Sequence, residues 1–238
     1  MNQKNELKTE TPANYSGAME ADTILKNGAS LKSQMSRGNK KWLLVLLAAV
    51  LTAGYAQAQP TFGARAGVNY TNMLFFPGGF SGTMQPGFQA GVVAENSING
   101  QCIQAGLLIV SQKSKFNEGF LMEFLNETLN LTYLRMPINF LYKKDLSDMK
   151  LLLQAGFFPD IAVSGKITGE KRGEKVEEKI TLGKGGMSRL GSGVGLGAGL
   201  QFDNIQTVLE YNLGFGGNNG VTMLRNGFAL NLTYFFNK

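Results

Sequence analysis

The chain has 238 residues, enough for one domain of ordinary size or two small ones, and only 17% of them are charged. It holds 31 glycines, one cysteine and no histidine. This composition excludes a disulfide framework within one chain, and it excludes catalysis or metal binding by histidine. We therefore expect no enzyme, no metal centre and no cofactor.

The net charge of +6 does not point to a nucleic-acid partner. Residues 1–41 carry seven Lys or Arg and four Asp or Glu, and residues 42–58 carry no charge. The remainder holds 16 basic and 13 acidic residues without a basic stripe. Because a nucleic-acid surface needs clustered cations, we expect no nucleic-acid binding.

The N-terminal region has the composition of an export signal. Lys40 and Lys41 precede an apolar run, Trp42–Leu51, and Ala56-Gln57-Ala58 follows it. A basic segment, a short apolar core and an A-x-A site predict a secretory signal peptide over 35–58, cleaved after Ala58. The alternative is a membrane anchor, but a spanning helix needs about 20 apolar residues.

The segment before this signal is polar, mixed in charge and without periodicity. Met35 begins an ordinary signal sequence, so we expect translation to start there. The predicted organisation is therefore a disordered or wrongly assigned extension over 1–34, the signal peptide over 35–58 and one domain over 59–238.

Four strands are predicted in the first half of this domain, over 62–72, 85–96, 101–113 and 129–142. Asn99-Gly100 is a two-residue hairpin signal. Pro137 lacks a backbone donor and predicts an irregularity in the fourth strand. The connection over 114–126 includes Phe120–Leu125, which we interpret as a short helix or a lid.

A fifth strand is predicted over 150–163, and a segment rich in lysine and glutamate follows over 165–189. Arg172-Gly173 has the character of a hairpin tip within it. The charged run 170–179 is interpreted as a solvated loop. The alternative is a contact with lipopolysaccharide phosphates or with a partner protein.

The last three strands, 194–202, 205–215 and 228–236, show the clearest pattern. Large apolar residues alternate with glycines, amides and an occasional charge. A polar face so rich in glycine suits a crowded lumen better than a solvated surface. We therefore predict an all-β fold, an eight-stranded antiparallel up-and-down transmembrane β-barrel with its apolar face toward lipid. The alternative is a soluble lipocalin-like barrel, in which the apolar face would point inward.

Two further patterns favour the membrane barrel. The first, third, fifth and seventh connections are predicted to be long and the others short, which is typical of outer-membrane barrels. The aromatic residues predict two girdles. The inner girdle comprises Phe62, Phe140, Tyr142, Phe202, Tyr234 and Phe236, and the outer girdle comprises Tyr70, Phe75, Phe76, Phe215 and Phe228.

Four charged residues fall at inward positions: Arg65, Glu95, Arg135 and Glu210. An arginine facing the bilayer midplane would cost about 2–4 kcal/mol, so an inward orientation is favoured. Arg65 and Glu95 lie near the same ends of neighbouring strands, and Arg135 and Glu210 lie at similar depth. We predict lumen salt bridges that form a structural plug. The alternative is a pair that binds or gates a solute.

Two other features do not indicate a catalytic or binding site. The alternating glycines of 191–199 are not followed by a helix or by a Gly-Lys-Ser/Thr sequence, so we expect no nucleotide site. Cys102 is expected to be a small buried filler.

Four segments together carry a family resemblance: residues 62–70, 133–138, 193–199 and 230–236. They resemble the PorT-like outer membrane protein β-barrel domain family of Bacteroidota, over nearly all of 59–238. The resemblance implies an eight-stranded outer-membrane barrel, and some family members belong to a secretion machinery.

We expect an integral protein of the cell outer membrane that contacts lipid. Its expected role is structural or a loop-mediated interaction with lipopolysaccharide or protein. The alternatives are a small-solute channel and a subunit associated with transport or secretion.

Overall fold

Eleven antiparallel strands account for most of the described chain. The computed structural model describes residues 60–76, 79–98, 101–116, 125–171, 174–183, 186–218 and 221–236. The predicted extension and signal peptide, over 1–34 and 35–58, lie outside these residues. The strands are β1 (Thr61–Phe76), β2 (Phe80–Ser81), β3 (Thr83–Ile98), β4 (Gln101–Phe116), β5 (Leu125–Arg135), β6 (Ile138–Leu146), β7 (Met149–Lys171), β8 (Glu174–Lys179), β9 (Leu190–Phe202), β10 (Ile205–Asn218) and β11 (Val221–Phe235).

The sheet closes on itself, which confirms the predicted barrel. β11 pairs with β1 from Gly63↔Phe235 to Phe76↔Thr222. Going round the ring, the order of the wall is β1, β3, β4, β5 with β6, β7, β9, β10 and β11, which makes eight positions. Closure pairs the two strands that would otherwise be edges, so no wall strand exposes an unpaired ladder.

One wall position is divided into two strands, as Pro137 predicts. β5 and β6 both pair with β4 on one side and with β7 on the other. Between them, the Met136 amide donates to the Pro159 carbonyl at 3.1 Å, and the Gly106 amide donates to the Pro137 carbonyl at 3.0 Å. The wall therefore stays bonded across the break although proline has no amide hydrogen.

The two faces of the wall differ as the alternation predicts. On β1, Val68 and Tyr70 are 55% and 52% exposed, whereas Arg65 and Asn69, which have the opposite parity, are buried. On β9, Leu196 is 64% exposed. A belt of large apolar side chains thus covers the outside, and the inside is polar or filled. This arrangement argues against the soluble lipocalin-like alternative, which needs the apolar face inside.

The aromatic girdles are exposed at ten of the eleven predicted positions. The exception is Phe75, which is 5% exposed and lies inside the barrel. The prediction for Phe75 was wrong because β1 runs to Phe76 without a break, so two consecutive residues must face opposite sides. Phe76 points outward, and Phe75 packs inside with its ring centroid 5.9 Å from that of Phe116.

The short connections agree with prediction at 147–148 and 203–204. The long fifth connection contains the β7–β8 hairpin, whose pairs run from Lys166↔Lys179 to Lys171↔Glu174. The tip predicted at 172–173 lies outside the described residues. The seventh connection was predicted to be long, over 216–224, and this is wrong. β10 and β11 stay paired up to Asn218↔Val221 because their ladder continues through the glycine-rich sequence. The helix or lid predicted over 120–125 falls almost entirely outside the described residues, and Leu125 already belongs to β5.

The two ends of the barrel differ in the connections they carry. The end that we call the turn end carries the 147–148 and 203–204 turns and both ends of the wall, Thr61 and Phe235. The opposite end, which we call the hairpin end, carries the β7–β8 hairpin. None of the described residues belongs to a helix long and apolar enough to span a membrane.

Candidate functional site: the filled lumen

All four charged residues predicted for the lumen face inward and are buried. The exposed fraction is 3% for Arg65, 5% for Glu95, 4% for Arg135 and 8% for Glu210. They do not form one cluster. Three of them join a network near the turn end, and Arg135 belongs to a second cluster closer to the hairpin end.

The network near the turn end is centred on Arg65 and Gln104. Arg65 donates from Nε to Thr233 Oγ1 at 2.9 Å, and its Nη1 lies 3.5 Å from Glu210 Oε1. Its Nη2 donates to Gln104 Oε1. Gln104 Nε2 in turn donates to Glu95 Oε2 at 3.1 Å and to Gln206 Oε1 at 3.0 Å. The contacts therefore cross the lumen rather than following one strand.

Three more side chains extend this network to the remaining strands. Lys143 Nζ forms an ion pair with Glu95 and donates to Gln201 Oε1 at 3.0 Å. Gln154 Nε2 donates to Glu210 Oε1 at 2.7 Å. Every one of the eight wall positions thus contributes at least one member. We call this set the eight-strand network; it comprises Arg65, Glu95, Gln104, Lys143, Gln154, Gln201, Gln206, Glu210 and Thr233.

The second cluster is built around Asp160, which is completely buried. Arg135 donates to both of its carboxylate oxygens, at 2.8 and 3.0 Å. Arg225 reaches it from β11, with Nη1 at 2.9 Å from Asp160 Oδ2 and 3.0 Å from Gln112 Oε1. We call Arg135, Asp160 and Arg225 the arginine–aspartate cluster. A bidentate guanidinium–carboxylate pair is among the stronger and more directional of protein contacts.

Aromatic rings cover both arginines of this cluster. The Arg135 guanidinium carbon lies 3.8 Å from the Phe158 ring centroid, and that of Arg225 lies 4.3 Å from the Tyr133 centroid. These distances are those of cation–π contacts, which are strongest where water is excluded. The rings therefore replace part of the hydration that the buried cations have lost.

Glycines on the inner face of β9 and β10 make the space for these large side chains. A Cβ at Gly193 would lie 2.3 Å from the Phe158 ring. A Cβ at Gly214 would lie 2.9 Å from the Arg225 Nη2 atom, and one at Gly191 would lie 3.1 Å from the same atom. The alternating glycines of 191–199 thus lie within strand β9, where they accommodate the side chains that fill the lumen.

The buried charges balance within the described part of the chain. The four cations are Arg65, Arg135, Lys143 and Arg225, and the four anions are Glu95, Glu127, Asp160 and Glu210. Because an uncompensated charge in a low-dielectric interior is costly, a balanced set suits a closed interior.

Apolar side chains also fill part of the lumen. Toward the hairpin end they comprise Met73, Phe75, Phe116, Leu129, Leu131, Tyr133, Ala162, Ile167 and Met223. Val176, Ile180, Leu182 and Met187, from β8 and the segment after it, pack onto this cluster. A smaller cluster comprises Val93, Leu108, Val110 and Phe235. The hairpin segment thus acts as a cap.

A polar cavity of about 10 Å³ is lined by residues that include Asn69, Thr71, Gln89, Gln112 and Arg135. This volume is on the scale of a single water molecule. Cys102 is buried, as predicted, and no group of three potential metal ligands occurs among the described residues.

The ion pairs differ from those suggested by the sequence. Arg65 pairs with Glu210 rather than Glu95, and Arg135 pairs with Asp160 rather than Glu210. Glu95 pairs with Lys143. Pairing across a lumen depends on the relative height of strands that are distant in sequence, and alternation along one strand does not determine it.

Sequence reasoning missed four charged members of the lumen: Lys143, Arg225, Glu127 and Asp160. Arg225 lies next to the predicted seventh loop, although it shares the inward parity of Gly227 and Ala229. Lys143 lies just beyond the fourth predicted strand, over 129–142, although it shares the parity of Leu141. Asp160 lies just before a bulge in β7, where the register shifts between its pairs with β5. Asp160 nevertheless shares the inward parity of Gln154 and Phe158, and Glu127 shares that of Leu129.

A ring of eight antiparallel wall positions, apolar outside and filled with paired polar groups inside, defines the class of protein. The chain is a closed eight-stranded antiparallel β-barrel with an apolar outer face, which is the architecture of transmembrane β-barrels.

Comparison with solved structures identifies similar barrels. Neisserial surface protein A is similar over 75% of this chain and 99% of its own, at 14% identity and a TM-score of 0.41. Ail, the attachment invasion locus protein of Yersinia pestis, in complex with the heparin analogue sucrose octasulfate, is similar over 74% of this chain and 99% of its own, at 12% identity and a TM-score of 0.35. A major outer membrane protein from Thermus thermophilus is similar over 74% of this chain and 99% of its own, at 14% identity and a TM-score of 0.39. No protein-family model and no curated protein matches the sequence.

Proposed function

We propose that the protein is an integral outer-membrane barrel with a closed lumen, whose role is structural or mediated by its hairpin end. The outward belt of exposed apolar residues supports the membrane location, because soluble monomers rarely expose an apolar surface of this extent. Export by the signal peptide predicted over 35–58 would deliver the chain to the periplasm. A barrel that inserts from the periplasm would have its turn end toward the periplasm and its hairpin end toward the outside of the cell.

The observation that carries the closed-lumen proposal is the eight-strand network. A small solute could pass only if contacts between opposite walls were broken, such as that of Gln104 on β4 with Gln206 on β10. Several charge-assisted hydrogen bonds would have to open together, and the apolar cluster toward the hairpin end would have to open as well. An eight-stranded barrel is in any case only wide enough for side chains to fill it. The network supports a structural plug over a conducting pore.

Conductance across planar bilayers tests this proposal. The purified protein should first run at different positions on a semi-native gel before and after boiling, which establishes a closed barrel. Protein that has inserted by this criterion should give no stable conductance steps. Regular ion-conducting steps from the wild-type protein would instead support the small-solute channel and would exclude the plug.

A loop-mediated interaction is favoured by the hairpin end. β8 presents a highly charged face there, with Glu174, Lys175, Glu177, Glu178 and Lys179 exposed. Contact with lipopolysaccharide or a protein partner through this end is part of the proposal. The resemblance to PorT-like barrels, and with it a role in transport or secretion, stays a prediction. The proposal includes no catalytic reaction.

Deletion of the hairpin tip offers a separate test of this role. Joining β7 to β8 by a shorter turn removes exposed charge but leaves Val176 and Ile180 on the apolar cluster. If the hairpin presents a binding surface, the variant should fold and insert normally but lose its cell-surface interaction. A variant that keeps every interaction would leave only the structural role.

A further inference from the structure

The outer face of the wall changes character abruptly toward the hairpin end on one side of the barrel. Ile109, Leu134 and Ile161 occupy one lateral row on β4, β5 and β7, since each is paired with the next. The next outward row toward the hairpin end is Ser111, Thr132 and Ser164, and the row after that is Lys113, Asn130 and Lys166. Ser111 itself is covered by its neighbours. The wall therefore passes from apolar to hydroxyl to cationic residues in two steps.

The height of the lysine row suits the headgroup layer of a membrane. Along β4, Lys113 lies four residues beyond Ile109. At a rise of about 3.3 Å per residue and a strand tilt of about 40°, the lysine row lies roughly 10 Å above the row of Ile109 along the membrane normal. The polar layer of a bilayer leaflet extends several ångströms beyond its hydrocarbon, and a lysine side chain can reach back toward it. Lys115 lies one outward position beyond Lys113, next to the same row.

The lysines are largely without partners on the protein. Among the described residues, Lys113 and Lys115 have no carboxylate within ion-pair distance. Lys166 contacts Glu177 at 2.9 Å, but both side chains of that pair are about half exposed, at 42% and 52%. Such a solvated pair contributes little and can exchange partners.

Among the described residues, the charged residues on the outer face of the wall lie on one side of the barrel. The outward strand positions of β9, β10, β11 and β1 carry no charged residue anywhere in the described chain. General solubility would not require this asymmetry. Lys113 and Lys115 on β4 and Lys166 on β7 are the cations at this end of the outer face, and their charge complements that of lipid phosphates.

We propose that Lys113, Lys115 and Lys166 bind the phosphate groups of lipid headgroups in the leaflet that meets the hairpin end. This inference rests on the proposed membrane location and adds a lipid contact at defined positions of the wall. It differs from the contact predicted for the charged run 170–179, because these lysines lie on the wall beside the apolar belt.

The test uses the refolded barrel with bisphosphorylated lipid A and with the same lipid after removal of its phosphates. Lipid retention is measured by native mass spectrometry. The wild type should prefer the phosphorylated lipid, and the triple variant K113Q/K115Q/K166Q should lose that preference by about tenfold or more. The matched control is K144Q/K150Q, which removes lysines at the turn end and should change nothing.

Three results would overturn the inference. They are equal retention of both lipids by the wild type, an equal loss in the K144Q/K150Q control, and displacement of the lipid by inorganic phosphate alone. The last result would mean a free-phosphate site. Gel mobility before and after boiling, measured on the same refolded protein, separates failure of the lysine site from failure of the proposed membrane location. A barrel that inserts normally without a lipid preference contradicts only the lysine site, whereas a barrel that never inserts contradicts both.

Discussion

Arg135 and Asp160 occupy directly paired positions on β5 and β7, and the guanidinium donates to both carboxylate oxygens, at 2.8 and 3.0 Å. Arg225 reaches the same carboxylate from β11 at 2.9 Å. One buried anion thus serves two cations and links three wall strands. The cluster resembles a core ion network more than a solute pathway, because both oxygens of the Asp160 carboxylate already accept from guanidinium groups.

Replacing Asp160 by asparagine should be strongly destabilising. The substitution keeps the side-chain shape but leaves Arg135 and Arg225 buried without their shared anion. Breaking a buried ion pair from one side typically costs about 3–5 kcal/mol. Urea unfolding in lipid vesicles, followed by gel mobility, measures the loss.

The control for this variant is D203N, at an exposed turn residue. It should change the free energy of unfolding by less than about 0.5 kcal/mol. If D160N were as stable as D203N, the arginine–aspartate cluster would not contribute to the fold in the way proposed.

Gly193 provides a test of how tightly the lumen is packed. In G193A the added methyl would lie 2.3 Å from the Phe158 ring and 2.4 Å from the Leu213 carbonyl oxygen, so ring and backbone would both have to move. Overpacking of this kind costs about 1–3 kcal/mol. The measurement is again the midpoint of urea unfolding.

G216A is the matched variant on the neighbouring strand β10. Its new methyl would meet only the end of Met223, at 3.3 Å, and a flexible side chain can move away. We expect little change there. Equal effects of the two substitutions would indicate that the lumen is loosely packed around Phe158.

The fold was largely predictable from the sequence because alternation along a strand is a local property. The outward faces of β9, β10 and β11 are indicated by single residues such as Leu196, Leu209 and Leu230. The prediction placed Phe75 on the outer face because it did not follow the alternation to the end of β1. It missed Arg225 because the glycine-rich sequence before this residue has the composition of a long loop. These errors concern the ends of strands, where local composition and strand pairing disagree.

The pairing inside the lumen was not predictable in the same way. Arg65 meets Glu210, 145 positions away in sequence, because the closed ring brings β1 and β10 to opposite sides of β11. Closure and strand stagger determine this relationship together, and neither is encoded in the pattern of one strand. The bulge in β7 lies beyond Asp160, between Ala162 and Ser164, so it reverses the parity only of the residues that follow it.

The inward position of Phe75 can be tested against its neighbour. F75A should create a cavity in the apolar cluster and cost about 3–5 kcal/mol, as is usual for a buried phenylalanine. F76A should cost clearly less, because Phe76 is 47% exposed on the outer face. Unfolding of the two variants in the same vesicles gives the comparison, and the reverse order would place Phe75 on the outside.

The lipid-facing assignment of the apolar belt makes a prediction that depends on depth. Leu230 is 50% exposed near the middle of β11, and Leu224 lies on the same face toward the hairpin end. L230R should cost about 2–4 kcal/mol, since the charge would lie in hydrocarbon, and L224R should cost about 0–1 kcal/mol near the interface. The free energy of unfolding from vesicles measures both. The same two variants in detergent micelles should differ much less, because a micelle lets water reach the arginine. Equal costs in vesicles would mean that β11 does not cross the hydrocarbon layer, and the membrane assignment would then have to be abandoned.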